Sequence, residues 1–255
     1  WGDEIDIEYQ KAVKNDLPFI THVSEGFDAE TKTDIRVLDR KGGLGEHSVL
    51  VHGLAFSDED IALIAKKGAS TVWCADSNIF MYEKTARVKE WLDAGINVCI
   101  GTDSPMSGGL NILYELKFDR DLFKKMYGTD LPDKTLVKMV TENPAKAFRM
   151  KKWGQVKAGN IADLTVFRTR HSNPYRSIVM TELEDVLLVV IGGLPVYGDA
   201  KFQGLFESLG QPYQEIVLAG QKKIIKGDLK GVLRRISRAV GFKKEFPFLP
   251  VEFDI

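Results

Sequence analysis

The chain has 255 residues, 44% of them hydrophobic and 28% charged, with a formal net charge of −1. That composition fits a globular protein with one large or two smaller domains, and it gives no field to draw in nucleic acid or an anionic membrane. Two cysteines, Cys74 and Cys99, cannot build a disulfide framework, and each sits in an apolar run. They read as buried free thiols in a reducing, cytoplasmic compartment. No apolar run approaches the roughly 20 residues of a membrane-spanning helix, and no signal peptide is visible, although the chain starts at Trp1 without an initiator Met.

In chain order, four short apolar runs come first: Leu17 to Val23, Ser48 to His52, Ser70 to Cys74, and Ile96 to Ile100. They are rich in β-branched residues and lack clean alternation, the pattern of parallel strands buried on both faces. Between them the spacing predicts helices over Asp58 to Lys67, with Ser57 as N-cap and Gly68 beyond the end, and over Glu83 to Ala94, closed by Gly95. The strands recur roughly every 20 to 30 residues, the repeat of βα units. This favours an α/β arrangement, either an open doubly wound sheet or a (β/α)₈ barrel. Pro132 to Met150 reads as a helix broken or kinked at Pro144.

The character then changes. Gly154 to Phe167 is strand-rich and punctuated by Gly, and both Asp185 to Tyr197 and Glu215 to Ile225 read as strand, Gly-centred turn and strand. These belong to a small β domain, so the expected division is 1–152 and 153–255. Asp228 to Val240 reads as an amphipathic helix with Val232, Leu233, Ile236 and Val240 on one face. The basic stretch Lys222 to Lys244 reads as a solvated face and not as a nucleic-acid surface, since it lacks an aromatic platform.

Only four histidines occur: His22, His47, His52 and His171. His22 and His52 fall at the carboxyl ends of predicted strands, and Asp103 lies just past a third. Ligands and catalytic groups of α/β folds gather at those ends. Taken singly, each has an ordinary reading: a packed histidine, or an aspartate in the turn Thr102-Asp103-Ser104-Pro105. Three at equivalent positions, of the types that bind a catalytic Zn²⁺, point together to a metal-assisted site. Glu25 adds a carboxylate at the first strand mouth. His47 and His171 read as structural and surface residues, and Gly42-Gly43-Leu44-Gly45 precedes a strand, which is the wrong context for a phosphate loop.

The order of HVSE (His22–Glu25), LVHG (Leu50–Gly53), WCADSN (Trp73–Asn78), GTDSP (Gly101–Pro105) and SGGLNILYELK (Ser107–Lys117) resembles the late-barrel motifs of the amidohydrolase superfamily. It is most similar to the branch with cytosine, guanine and adenosine-type deaminases and triazine hydrolases. GQVKAGNIADLTVF and DVLLVVIGGLPVYGD resemble the segments entering that family's β-sandwich, so the likeness runs from about Pro18 to Asp199. The resemblance implies the C-terminal part of a (β/α)₈ TIM-type barrel, strands 5 to 8, plus part of a small β-sandwich. It implies His22 and Asp103 as ligands of one divalent metal, zinc by default or iron. Glu25 becomes a proton shuttle, Asp103 the base, His52 a catalytic and substrate-binding polarising group, and Ser77 and Asn78 pocket residues. The reaction implied is hydrolysis of a C–N bond in a small cyclic substrate by metal-activated water.

Two departures stand out. The family's first strand carries His-x-His, and no His-x-His occurs in these 255 residues. The expectation is therefore a partial enzyme, lacking strands 1 to 4, inactive and a poor metal binder on its own, with a non-catalytic binding or assembly protein on the same scaffold as the alternative. WCADSN also lacks the proline that relatives carry after the cysteine. A half barrel leaves edges unpaired, which predicts a homo-oligomer or pairing with the absent N-terminal half, and no partner beyond a small-molecule substrate.

Overall fold

The computed structural model describes residues 2, 4–242 and 251–252. The chain divides into two compact units, Trp1–Gln155 and Val156–Ile255.

The first unit opens with helix α1 (Ile5–Lys14), then strand β1 (Phe19–Val23), α2 (Asp34–Arg40), β2 (Ser48–His52), α3 (Asp58–Lys67), β3 (Ser70–Trp73), α4 (Ala75–Tyr82), α5 (Val88–Asp93), β4 (Asn97–Ile100), α6 (Ile112–Tyr127), α7 (Asp133–Met139) and α8 (Glu142–Ala147). The four strands form one parallel sheet in the order β1-β2-β3-β4. Consecutive strands are neighbours, as in successive βα units. Leu50, Trp73 and Val98 are fully buried within it, as expected of apolar strands covered on both faces. The sheet is open, with β1 and β4 at its edges, and Ile20 on β1 is half exposed.

Local chemistry explains the element ends. Ser57 caps α3: its hydroxyl accepts from the Asp60 N–H, the Asp60 carboxylate accepts from the Ser57 N–H, and Gly68 ends the helix in the left-handed region at φ 72°. The segment predicted as one helix from Glu83 is divided differently. Residues 75–82 are already helical, Glu83 terminates that helix with φ 55°, and α5 begins only at Val88. The break between α7 and α8 lies at Val140–Thr141, not at Pro144. Pro144 sits in the first turn of α8, where a missing N–H costs nothing. Asn97 ties β4 to this region, donating to the Asn143 carbonyl at 3.0 Å, while Asn143 donates to the Val98 carbonyl at 2.7 Å.

The second unit contains β5 (Leu164–Phe167), α9 (Pro174–Val179), β6 (Val186–Ile191), β7 (Leu194–Asp199), α10 (Gln203–Ser208), β8 (Tyr213–Leu218), β9 (Gln221–Lys226), α11 (Leu229–Val240) and β10 (Val251–Glu252). Its strands make a single antiparallel sheet, ordered β10-β8-β9-β7-β6-β5. The only strand in the segment from Gly154 to Phe167 is β5, shorter than the composition suggested. Lys223 is fully buried, and its ammonium is satisfied by Asp199 at 2.5 Å and by the carbonyls of Glu184 and Val186, each at 3.0 Å. Leu233 is the buried residue of α11, while Val232, Ile236 and Val240 stay partly exposed. Lys243 and Lys244, the end of the basic stretch, lie outside the described residues. Among those residues, no helix is long and apolar enough to cross a membrane.

The capping box at α3 is independent of the strand-end residues. Ser57→Ala should lower the unfolding free energy by about 1 kcal/mol, read as a shifted urea midpoint with unchanged slope.

Candidate metal centre

Three strand mouths supply the site, and each turns sharply. Ser24 after β1, His52 at the end of β2 and Asp103 beyond β4 all have left-handed backbones, with φ of 51°, 75° and 55°. A non-glycine residue in that region is uncommon and costs about 1 kcal/mol or more, so the surroundings must hold it there. The ladder continues into the loops to do so: Gly53 N–H donates to the Val23 carbonyl and Gly101 N–H to the Trp73 carbonyl, both at 3.0 Å. Gly53 itself has φ 61°, and a Cβ there would lie 2.3 Å from the Phe56 ring, so only glycine fits after His52.

The turns bring His22, His52 and Asp103 together. Their potential ligand atoms all lie within 4.8 Å of one another, and the two imidazole centroids are 5.2 Å apart. Glu25 Oε1 stands 3.5 Å from His52 Nε2, and its carbonyl accepts from the Tyr82 hydroxyl at 2.9 Å. His52 is almost fully buried, whereas His22 and Asp103 are exposed.

A hydrogen-bond chain sets the orientation of His52. The Trp73 indole N–H, which can only donate, binds Thr85 Oγ1 at 2.7 Å. The Asn78 amide nitrogen donates to the same oxygen at 3.2 Å. Asn78 Oδ1 is then left to pair with His52 Nδ1 at 2.9 Å, which places the proton on Nδ1 and turns Nε2 toward Glu25 and the cluster. Ser77, the neighbour of Asn78 on α4, donates to Asp103 Oδ2 at 2.5 Å, and Ser107 donates to the same oxygen at 3.2 Å. Burial alone would raise the Asp103 carboxyl. The hydrogen bonds from Ser77, Ser107 and Ser104 N–H, with the pull of His52, outweigh it and hold the group below the ordinary carboxylate range. All six residues singled out from the sequence therefore lie in one neighbourhood: His22, Glu25, His52 and Asp103 at the strand mouths, Ser77 behind Asp103, and Asn78 behind His52. His47 lies apart, buried with Nδ1 on the Leu17 carbonyl at 2.8 Å, and His171 is exposed in the second unit.

The helix α6 holds a feature the sequence reading missed. Glu115 and Asp119, one turn apart, are both fully buried. Glu115 Oε1 accepts from Gly109 N–H at 2.8 Å. Glu115 Oε2 and both Asp119 oxygens meet no N–H or hydroxyl donor. Burial pushes Glu115 from the ordinary 4.5 up to about 7, with Asp76 adding its repulsion, against the pull of Gly109 N–H and Asp119. Burial, then the charge of Glu115, raises Asp119 well above the ordinary carboxylate range too. The i, i+4 spacing in YELKFD was the available signal, but acidic pairs at that spacing are common on exposed helix faces.

These observations define an α/β body with imidazole and carboxylate groups converging at its strand mouths. The sequence model of the amidohydrolase family matches residues 3–196, and the chain belongs to that family. It is similar to the 5-methylthioadenosine/S-adenosylhomocysteine deaminases of Thermococcus sibiricus (33% identity, covering 58% of this chain and 36% of the relative) and Syntrophobacter fumaroxidans (30%, 74% and 48%). Among solved structures it resembles an atrazine chlorohydrolase from Arthrobacter aurescens complexed with zinc, with a TM-score of 0.69 at 24% identity, over 76% of this chain and 47% of the other. It also resembles an adenosine deaminase from Xanthomonas campestris with bound zinc, at 0.69 and 23%, over 76% and 48%. At such identities the structural likeness establishes the fold. The chain spans less than half the length of each of these proteins.

The buried pair carries a pH signature. A carboxyl whose folded value is raised favours the native state below its unfolded value, near 4.5, and that contribution is lost as pH rises through about 7. The cost of ionising Glu115 is at most about 3 kcal/mol. Glu115→Gln removes it, so its thermal midpoint should exceed that of the wild type by about 6–12 °C at pH 8 and by only about 2–3 °C at pH 5, followed by circular dichroism.

Proposed function

We propose that this chain is the C-terminal part of a metal-dependent hydrolase that cleaves C–N bonds in small cyclic substrates by deamination or by amide or amidine hydrolysis. The observation that carries this reading is the convergence of His22, His52 and Asp103 within 4.8 Å, with Glu25 against His52. In this reading β1 to β4 are strands 5 to 8 of a (β/α)₈ barrel, residues 1–152 are its second half, and residues 153–255 belong to a β-sandwich with a C-terminal helix. The open edges at β1 and β4 and the exposed Leu17 and Ile20 support pairing with further chain or with a second copy. Two buried free thiols fit a cytoplasmic setting.

The donor types fit a divalent metal, zinc before iron: imidazole nitrogen and carboxylate oxygen are the ligands such ions take. His22 and Asp103 would hold it. When bound, it supplies a water acidified toward neutrality. The chain's own groups do the rest. Asp103, kept ionised by Ser77 and Ser107, takes a proton at its carboxylate. Glu25 carries a proton from the water to the leaving nitrogen, which departs as ammonia or an amine. His52 presents Nε2 to the substrate or the attacking water because Asn78 anchors Nδ1. Ser77 and Asn78 shape the pocket wall. The substrate class follows the relatives' names, and 5-methylthioadenosine is the first probe.

The test uses the full-length protein that carries this chain, loaded with zinc and assayed for ammonia release from 5-methylthioadenosine. Asp103→Ala should lower kcat by about 10²–10⁴-fold with an unchanged circular dichroism spectrum. A chelator should abolish turnover and added zinc restore it. Retained hydrolysis in the folded Asp103→Ala variant overturns the assignment. The absence of His-x-His from these residues favours one other reading, a non-catalytic binding or assembly protein on the same scaffold. That reading predicts no ammonia release from the full-length protein under any metal.

A further inference from the structure

The segment that delivers Asp103 runs from Gly101 to Asn111 and is folded tightly on itself. The Ser104 carbonyl accepts from Ser107 N–H at 3.1 Å and from Gly108 N–H at 2.8 Å, and the Ser107 hydroxyl reaches Asp103 Oδ2. Its far limb is seated on α6. There Gly109 N–H donates to Glu115 Oε1, and the packing leaves no slack. A Cβ at Gly108 would stand 2.0 Å from the Thr102 carbonyl oxygen and 3.3 Å from the Ser77 Cβ. A Cβ at Gly109 would stand 2.4 Å from Glu115 Oε1 and 2.7 Å from the Tyr114 ring. Backbone therefore touches carboxylate directly, and the same short loop holds both the metal-facing aspartate and the hydroxyl that orients it.

A fully buried carboxylate is an expensive acceptor for Gly109 N–H, even with the Asp76 N–H also drawn toward it. Four groups face it: Asp119 and Tyr114 on its own helix, Asp76 on α4, and the Cys74 thiol at the end of β3. Asp119 and Asp76 are acidic and add repulsion. A plain turn would close with a backbone carbonyl, so stability alone does not account for this choice. A side-chain acceptor reaching up from a long helix fixes the loop at a height that the helix dictates.

We propose that Glu115 is a positioning residue for Asp103: through Gly109 N–H it locks the 101–111 loop, and with it the Ser77–Asp103–Ser107 triangle, in the conformation the hydrolytic site requires, with Asp119 completing the buried carboxyl pair. This rests on the reading of Asp103 given above. Glu115 touches neither metal nor substrate, and its influence is carried by the loop backbone.

The experiment compares Glu115→Ala, which deletes the acceptor, with Glu115→Gln, which retains an oxygen for Gly109 N–H, in the zinc-loaded full-length protein. Three quantities are read: amide hydrogen exchange of residues 101–111, zinc content, and kcat and KM with 5-methylthioadenosine. Glu115→Ala should speed exchange in the loop by about tenfold or more. It should also lower kcat by about 10–100-fold, with KM within about threefold, since small misplacement of a reacting group is costly. Glu115→Gln should stay within about threefold of wild type in all of them. Unchanged loop exchange in a folded Glu115→Ala protein overturns the proposal, as does a Gln variant as impaired as the Ala variant. If Glu115→Ala does not fold, Gly109→Ala, which drives a methyl group into the same oxygen, must reproduce the kcat loss, and wild-type kcat there overturns the proposal. If the wild type itself releases no ammonia, the functional reading has failed, and loop exchange alone decides whether Glu115 holds the Asp103 segment.

Discussion

Parallel pairing in register is the constraint on which the rest of this structure depends. Because β1, β2, β3 and β4 run the same way, with Val23 opposite His52 and Trp73 opposite Ile100, their carboxyl ends open along one border of the sheet. An antiparallel neighbour would have sent one of these ends to the opposite border. Three sharp left-handed turns at Ser24, His52 and Asp103 then bring side chains from separate strands to within a few ångströms. Backbone ladder bonds running one residue past the strands hold those turns in place.

Behind the border lies a second layer of polar order. His52 is steered by Asn78, Asn78 by Thr85, and Thr85 is shared with the buried indole of Trp73. Asp103 is steered by Ser77 and Ser107. Two neighbours on α4, Ser77 and Asn78, thus serve opposite ends of the cluster, so a displacement of this one helix would disturb both. The electrostatics follow the same division: Asp103 at the opening stays ionised through its donors, while Glu115 and Asp119 deeper in are driven toward neutrality by burial.

Much of this was legible in the residues. Ser48 to His52 and Asp58 to Lys67 matched β2 and α3 to the residue, because apolar runs bounded by capping and glycine signals leave few alternatives. The strand-end placement of His22, His52 and Asp103 was enough to group them. The helix at Ala75–Tyr82 was hidden because its start, Ala-Asp-Ser-Asn, has the composition of a loop, and because an ordinary Glu83 ends it in the conformation usually given to glycine. Glu115 and Asp119 were hidden for a different reason. Nothing in a sequence distinguishes an acidic pair turned inward from one turned to water until the opposite face of the helix is known.

Cys74 sits just behind this border, next in sequence to the helix that carries Ser77 and Asn78. Its thiol is buried, and desolvation together with the surrounding carboxylates Asp103, Glu115, Asp119 and Glu25 pushes its ionisation far above the normal thiol range. Cys99, on the adjacent strand, is pushed up to about 12 by burial alone. Both sulfurs are therefore withheld as anions, although one lies close to the cluster. The groups that converge at the strand mouths are accordingly nitrogen and oxygen, with the neutral sulfur buried behind them.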